Sequence, residues 1–238
     1  MKNLFKIVGV LFILLLIVAI AIPFLFKDEI TELVKRSTNE SIDATVDFAD
    51  VDLSLLSSFP DLSVSINDIS IINKTPFEGD TLFYAQSFDI SLDIISLISG
   101  EILKVKAIHI DEPIIHTTVL EDGTANYIVT KENAENSKSS DAKFKISLQS
   151  YSITNGKIVY IDKSNNIIIT MLNVNHTGEG DFTQDDFNLD TKTTSEKITY
   201  EFGGIKYLNN VKANLDMELA VNLPLFKFEF KDNKLMLN

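Results

Sequence analysis

Only three side chains in this sequence titrate near neutrality, His109, His116 and His176, and a metal centre or an acid–base pair would have to be built on them. They show no i, i+4 pair of the kind that sets two imidazoles on one helix face for zinc. His109-x-Asp111 resembles a metal or dyad fragment, yet it stands at a strand end with a single partner, so satisfied or exposed histidines are expected. The acidic pairs Asp111-Glu112 and Asp185-Asp186 fall in turn-like stretches, where charge is ordinarily solvated. There is no cysteine, which removes disulfides, thiolate zinc sites and cysteine nucleophiles. The sequence has no G-x-S-x-G elbow, P-loop or dinucleotide fingerprint. Asn39-Glu-Ser41, Asn73-Lys-Thr75 and Asn175-His-Thr177 have the form of the glycosylation triplet, which matters only on a eukaryotic secretory route. Catalysis has no carrier: the expectation is a protein that is not an enzyme, with no metal and no cofactor.

The elements around these residues say more than the residues do. Ile7 to Phe26 is an uncharged apolar run fenced by Lys6 and Lys27. At about 1.5 Å per residue it makes a helix of roughly 30 Å, the thickness of a bilayer core. Lys2, Lys6 and Ala19-Ile-Ala21 would also suit a cleaved signal peptide, but the run continues past Ala21 through Phe26, so residues 1–26 read as a retained transmembrane anchor. A short basic head is easier to hold in the cytoplasm than the large body, which places the N-terminus inside and the body outside. The net charge is −13, and the body holds all 34 acidic residues and all but two of the basic ones. Arg36 is its only arginine, so nucleic acid is excluded as a partner.

After the anchor, Ile30, Leu33 and Val34 share one face, which predicts a juxtamembrane amphipathic helix over 27–42. From Ala44 the period becomes that of a strand, and one pattern with spacing two, three, two occurs four times: Val46, Phe48, Val51, Leu53; Val64, Ile66, Ile69, Ile71; Leu103, Val105, Ile108, Ile110; and Ile146, Leu148, Tyr151, Ile153. The extra residue has to be absorbed by a bulge or a tight turn. The inserted pairs, Ala49-Asp50, Asn67-Asp68, Lys106-Ala107 and Gln149-Ser150, lack the glycine of a two-residue hairpin loop, which favours a bulge in a long strand. The last two units extend to Pro113, Ile115 and Gly156, Ile158, so six positions recur at an offset of 43, read as two modules of one plan. Phe88, Ile90, Leu92 and Ile94 alternate, Ser99-Gly100 and Glu121-Asp-Gly123 mark turns, and so does Gly178-Glu-Gly180-Asp181. Thr130 to Asp141 is too polar to pack. Lys231-Asp-Asn233 reads as a turn, and Leu235 and Leu237 open a strand that would leave an unpaired apolar edge. The chain is therefore expected to be the N-terminal part of a longer protein.

The anchor running into Ile22-Pro-Phe24, Val51-Asp-Leu-Ser-Leu-Leu-Ser-Ser-Phe59-Pro60-Asp-Leu62, Phe88-x-Ile-x-Leu through Leu97-Ile-Ser-Gly100, Ile108-His-Ile-Asp-Glu-Pro113-Ile and Asp122-Gly-Thr-Ala-Asn126-Tyr127 together resemble the N-terminal region of the bacterial AsmA family. Ile153-Thr-Asn-Gly156-Lys-Ile158-Val-Tyr160-Ile-Asp162 and Gly178-Glu-Gly180-Asp181 are similar to its next segment. Tyr127 stands where many members carry tryptophan. The resemblance implies a single-pass protein of the bacterial inner membrane whose body lies in the periplasm. It also implies a β-groove similar to that of the chorein-type bridge lipid-transfer proteins, and a part in phospholipid supply and outer-membrane protein assembly.

The expected fold is thus mainly β: a transmembrane anchor (1–26), an amphipathic helix (27–42), and an extended, twisted antiparallel β-sheet groove of repeated modules. The modules are 43–129 and 143–238, the second continuing beyond the chain, with a polar linker or loop at 130–142. The sixteen residues of the four units are the candidate lipid-groove residues, and membrane phospholipid acyl chains the expected ligand. The alternative is a structural or adaptor module, closed into sandwiches, that acts on outer-membrane protein assembly through envelope protein partners. Alternation cannot separate the two, since both need one apolar face per strand. For the anchor the expected outcome is direct: N-terminal sequencing of the mature protein finds residues 1–26 in place, and a mature terminus at Ile22 would make the run a signal peptide.

Overall fold

The structure, a computed structural model, describes residues 27–54, 61–99, 103–130 and 144–238. Helix α1 (Lys27–Ser41) precedes β1 (Ala44–Asp47), β2 (Asp50–Ser54), β3 (Leu62–Asn73) and β4 (Thr81–Leu92). A short helix α2 (Ile94–Ser99) then leads to β5 (Leu103–Asp111), β6 (Ile114–Val119), β7 (Phe144–Asp162), β8 (Ile167–Gly180), β9 (Asp186–Phe202), β10 (Ile205–Asn222) and β11 (Lys227–Leu237). All eleven strands belong to one mixed sheet in the order β1, β3, β4, β5, β7, β8, β9, β10, β11, with β2 beside β3 and β6 between β4 and β7. The expected anchor lies outside the described residues, and among those described no helix is long and apolar enough to cross a membrane. Of the expected linker only Thr130 is described, bridged to Ile42.

The expectation of an antiparallel sheet is corrected at one seam. Strand β7 runs parallel to β5 and β6, while the other pairs are antiparallel. A parallel pair needs a connection of a dozen or more residues, and the chain supplies one between Val119 and Phe144. The first part of that connection is pinned by Asn126, which is buried. Its Oδ1 accepts from the Thr118 amide at 2.8 Å, its Nδ2 donates to the His116 carbonyl at 3.0 Å, and its own carbonyl accepts from Asn73 Nδ2 at 2.7 Å. The parallel register also explains the repeat. From Ala107↔Ser150 to Val119↔Asp162 the partners lie 43 residues apart, so four of the six recurring positions are two neighbouring strands reading the same rows, while Leu103 and Val105 pair at an offset of 41, with Phe144 and Ile146.

A crease crosses the sheet where the strands take up their extra residue. Asp68, Glu112, Asn155 and Asn173 have left-handed φ of 52°, 46°, 55° and 50°. The register sets Asp68 and Glu112 opposite the same residue of β4, and Asn155 beside Glu112. Three of the four are Asp or Asn, the non-glycine residues that bear this conformation best. Because neighbours deviate together, no residue is gained or lost: Asp47↔Ser70 and Asp50↔Asn67 keep one register although the chain breaks at Phe48-Ala49 into β1 and β2. Of the inserted pairs, Lys106-Ala107 and Gln149-Ser150 lie at register shifts, as a bulge requires, whereas Asn67-Asp68 lies in an unshifted stretch of the β3–β4 ladder and Ala49-Asp50 at the break between β1 and β2, so the expected bulge is corrected at these two.

Three local expectations are corrected. Ile94 begins α2 and does not continue a strand, because Asp93 caps the helix by accepting the Ser96 amide at 2.8 Å. Lys106 then ties Asp93 (2.9 Å) to Asp61 (2.7 Å). Gly178 and Gly180 lie inside β8, whose turn comes only after Gly180. Lys231-Asp-Asn233 is no turn either: β11 runs through it with a register shift where β10 passes from Glu218 to Leu219.

The two sheet edges differ. Strand β11 is exposed along its length. Strand β1 is capped by α1: Asn39 Oδ1 accepts from the Val46 amide and Asn39 Nδ2 donates to the Val46 carbonyl, both at 2.8 Å, so a side chain does the work of a neighbouring strand. Lys35 adds an ion pair to Asp47 (2.6 Å) and sits 4.9 Å from the centre of the Phe48 ring. The exposed ion pair contributes little. Leaving both Val46 groups without their partner costs about 1–2 kcal/mol. Asn39→Ala is therefore expected to lower stability by that order in chemical denaturation and to speed hydrogen exchange at the Val46 amide, with the exchange of β9 unchanged.

Candidate functional site

Residues paired across a strand ladder share a face, so register alone assembles the candidate surface. One row runs Val46, Ile71, Phe83, Ile115, Ile158, Met171, Ile198, Val211, apolar at every step from the first strand to β10. On the other side of the crease a second row runs Val51, Ile66, Phe88, Ile110, Ile153, His176, Thr193, Leu215, Leu235. The opposite face carries polar groups such as Asp52, Ser65, Asp89, His109 and Ser152 at the alternate positions.

Val46, Phe48 and Val51 are buried as one cluster, with Leu53, Val64, Ile66, Ile69 and Ile71 packed on it. Val105 and Leu148 are buried with Leu92, touching Val64, Ile108 and Tyr151. A third cluster, Phe187, Leu189 and Val221, meets the second through Tyr151 and Phe182. Shared members thus link the three into a continuous surface. Ile110 and Ile153 join it by register in the second row, and Leu103 and Ile146 are placed by backbone register alone. The register also shows which positions correspond. Opposite Val46 to Leu53 of the first unit stand Ile108 to Ile115 and Tyr151 to Ile158, five residues further along than the third and fourth units begin. Strand β4 carries the same spacing in Phe83, Ala85, Phe88 and Ile90, a signal present in the sequence but hidden by the stronger alternation of Phe88 to Ile94.

The middle of this face is covered only in part. Ile66, Ile71, Phe83, Phe88, Ile110, Ile115, Ile153, Ile158 and Met171 are all half-buried. Every described strand is in the one sheet, so among the described residues no second sheet is stacked on them. The titratable candidates assemble no reaction centre. His109 Nδ1 lies 2.7 Å from Ser152 Oγ, Asp111 accepts from the Thr154 hydroxyl, and Asp186 accepts from Asn222 at 2.6 Å. No three metal-ligating groups gather among the described residues.

A sequence profile of the AsmA family matches residues 1–219. The chain belongs to the AsmA family. No curated protein sequence matches it. The profile covers β1 to β9 and nearly all of β10, so the rows above are, almost in full, the AsmA part of the chain.

Within this AsmA sheet the apolar face changes character at β8 and β9. His176 stands in the second row between Ile153 and Thr193. Its Nδ1 is 2.8 Å from Thr193 Oγ1 and its Nε2 is 3.3 Å from the Tyr151 hydroxyl. The Tyr151 ring rests on Gly178: a Cβ there would stand 2.3 Å from the ring, so only glycine leaves it room. Burial pushes the His176 imidazole below its ordinary value and the Tyr151 phenol above its own. The unfolded chain therefore takes up the His176 proton first. That stability is complete above about pH 6.5, the unfolded value, and is lost as pH falls through the lower folded value. The carboxyl groups of Asp47 and Asp122 are held down by the Lys35 hydrogen bond and by hydrogen bonds to Thr124, so their contribution is lost only at more acid pH, from about 4 downward. Thermal unfolding followed by circular dichroism is expected to show a melting temperature that drops between pH 7 and pH 5, and His176→Gln is expected to flatten that slope.

Proposed function

We propose that this AsmA-family chain is held in the bacterial inner membrane by residues 1–26, with its N-terminus cytoplasmic and its body in the periplasm. There its sheet forms a groove that conducts phospholipid between the envelope membranes in support of outer-membrane biogenesis. It works without catalysis, cofactor or nucleic acid. The observation that carries this reading is the half-buried apolar face, continuous in register over successive strands. Nine strands at about 4.8 Å give it a run of roughly 40 Å. Each methylene taken from water contributes about 0.8 kcal/mol, so an acyl chain crossing an aqueous space without such a surface meets a barrier of tens of RT. A face that shields one side of the chain lowers this barrier at every step, while headgroups stay in water. Of the sixteen candidate residues, Leu53, Val64, Ile66, Ile69, Ile71, Ile108, Ile110, Tyr151 and Ile153 supply the half-buried part of this surface, while Val46, Phe48, Val51, Val105 and Leu148 are buried.

An introduced charge tests the reading. At a half-buried position such as Ile110 or Ile153 a carboxylate can turn toward water. At Leu148, buried with Leu92 and Val105, it would be desolvated at a cost of several kcal/mol. Ile110→Asp with Ile153→Asp is expected to give a folded, membrane-inserted protein that no longer supports outer-membrane integrity, scored as sensitivity to detergent and bulky antibiotics. Leu148→Asp is expected to lose the folded body. Full function in the folded double variant would favour the adaptor alternative, a non-conducting module acting through protein partners.

A further inference from the structure

Strands β8 and β9 place hydroxyls and an imidazole where the strands before them carry Ile, Leu and Phe. Thr191, His176, Thr193 and Ser195 fall on the apolar side of the register. Ser195 Oγ is satisfied by the Leu172 carbonyl at 3.0 Å, whereas Thr191, 4% exposed, has a buried hydroxyl without a partner. Polar groups are costly on such a surface unless something meets them.

The hydrogen count of the Tyr151, His176, Thr193 chain shows what would. A neutral imidazole has one N–H and one bare nitrogen. If Nε2 carries the hydrogen it donates to the Tyr151 oxygen, Thr193 donates to Nδ1, and the Tyr151 O–H is left over. With the other tautomer the Thr193 O–H is left over. Either way one hydroxyl hydrogen remains to be given to an acceptor. The positions around it, Ile153, Gly178, Thr191, Leu215 and Met217, bear no charge, so nothing there would hold a phosphate, and a neutral acceptor suits the place.

We propose that Tyr151, His176 and Thr193 form a hydrogen-bonding station in the apolar face, which takes the ester carbonyl of a glycerolipid whose acyl chains lie along the rows to either side. The station rests on the lipid-path reading and adds to it the linkage chemistry of the cargo. Gly178 seats the tyrosine, and the depressed basicity of His176 keeps the relay neutral at ordinary pH.

The test compares a diacyl phosphatidylglycerol with its dialkyl ether analogue, matched in chain length and headgroup, as competitors for a fluorescent phospholipid bound to the full chain in detergent micelles. The ether lacks the carbonyl acceptor. The wild-type protein is expected to prefer the diester about fivefold, the equivalent of one net hydrogen bond. Tyr151→Phe with His176→Leu and Thr193→Val, which removes every donor of the relay, is expected to bring the ratio to about one while ether binding stays the same. Should the triple variant fail to fold, the ester carbonyl stretch of the diester bound to the wild-type protein is expected at a lower frequency than in detergent alone, and an unshifted band overturns the station. Equal competition by both lipids in the wild type, or a preference that survives in the folded triple variant, overturns the station and leaves the lipid path standing. Failure of both lipids to compete overturns the lipid path and the station with it.

Discussion

Among the described residues the sheet is one layer thick, with no second layer to select its apolar face, so it has to keep its apolar side chains on one side by register. A slip of one residue would turn a whole strand over. The crease shows how the sheet meets this constraint while still bending. Asp68, Glu112, Asn155 and Asn173 each withdraw one residue from the alternation, and the register sets the first three opposite or beside one another. The strands deviate together, so the rows on both sides of the crease stay apolar. The ladder and the rows are therefore one device: backbone pairing fixes which side chains stand side by side, and their mutual contact makes that pairing the favoured one.

Such a sheet gains less from burial than a sandwich does. Its buried clusters lie along β1, β2 and β3, around Leu92, Val105 and Leu148, and around Phe187 and Val221, while the residues between them are half in solvent. Edge chemistry makes up part of the difference. Asn39 closes the first strand as a β neighbour would, and Asn126 ties the connection after β6 to Thr118, His116 and Asn73. Asp162 orders the turn after β7 through Ser164 (2.6 Å) and Asn165 (2.8 Å). These polar side chains hold the framework at its covered edge and at strand ends, away from the half-buried middle of the apolar face.

Much of this was legible in the sequence. The two, three, two spacing marks a phase change in each unit, which is a register shift at Lys106-Ala107 and Gln149-Ser150, a left-handed residue without a shift at Asp68 and a break between strands at Ala49. The offset of 43 between Ile108 and Tyr151 was also visible, but it was read as a repeat of modules. The same recurrence follows from two adjacent parallel strands, whose partners must match row by row. Sequence cannot distinguish these, since neither strand direction nor adjacency leaves a mark on periodicity. The correspondence of Val46 with Ile115 and Ile158, not with Leu103 and Ile146, was hidden for a related reason. A strand with two phase changes, as in Val105, Ile108, Ile110, Pro113, offers two ways of aligning the same four-residue pattern. The AsmA resemblance, carried by the order of several weak motifs, held over nearly the whole chain.

Gly178 marks where reading from sequence fails for a local reason. Two glycines flanking Glu179 and followed by Asp181 have the composition of a turn, and glycine inside a strand is ordinarily a weakness. Here the missing side chain is what the fold uses. The Tyr151 ring occupies the space a Cβ would need, and from that seat its hydroxyl reaches His176 one row away. The requirement comes from a partner 27 residues earlier in the chain, so nothing within the local window signals it. The same holds for Gly156, where an added Cβ would lie 3.3 Å from both Pro113 and Ile153. Both glycines lie on β7 and β8, beside the place where the apolar rows turn polar. In both cases neighbouring side chains fill the space that the glycine leaves, so the two positions serve the packing of Tyr151, Pro113 and Ile153 and open no room of their own.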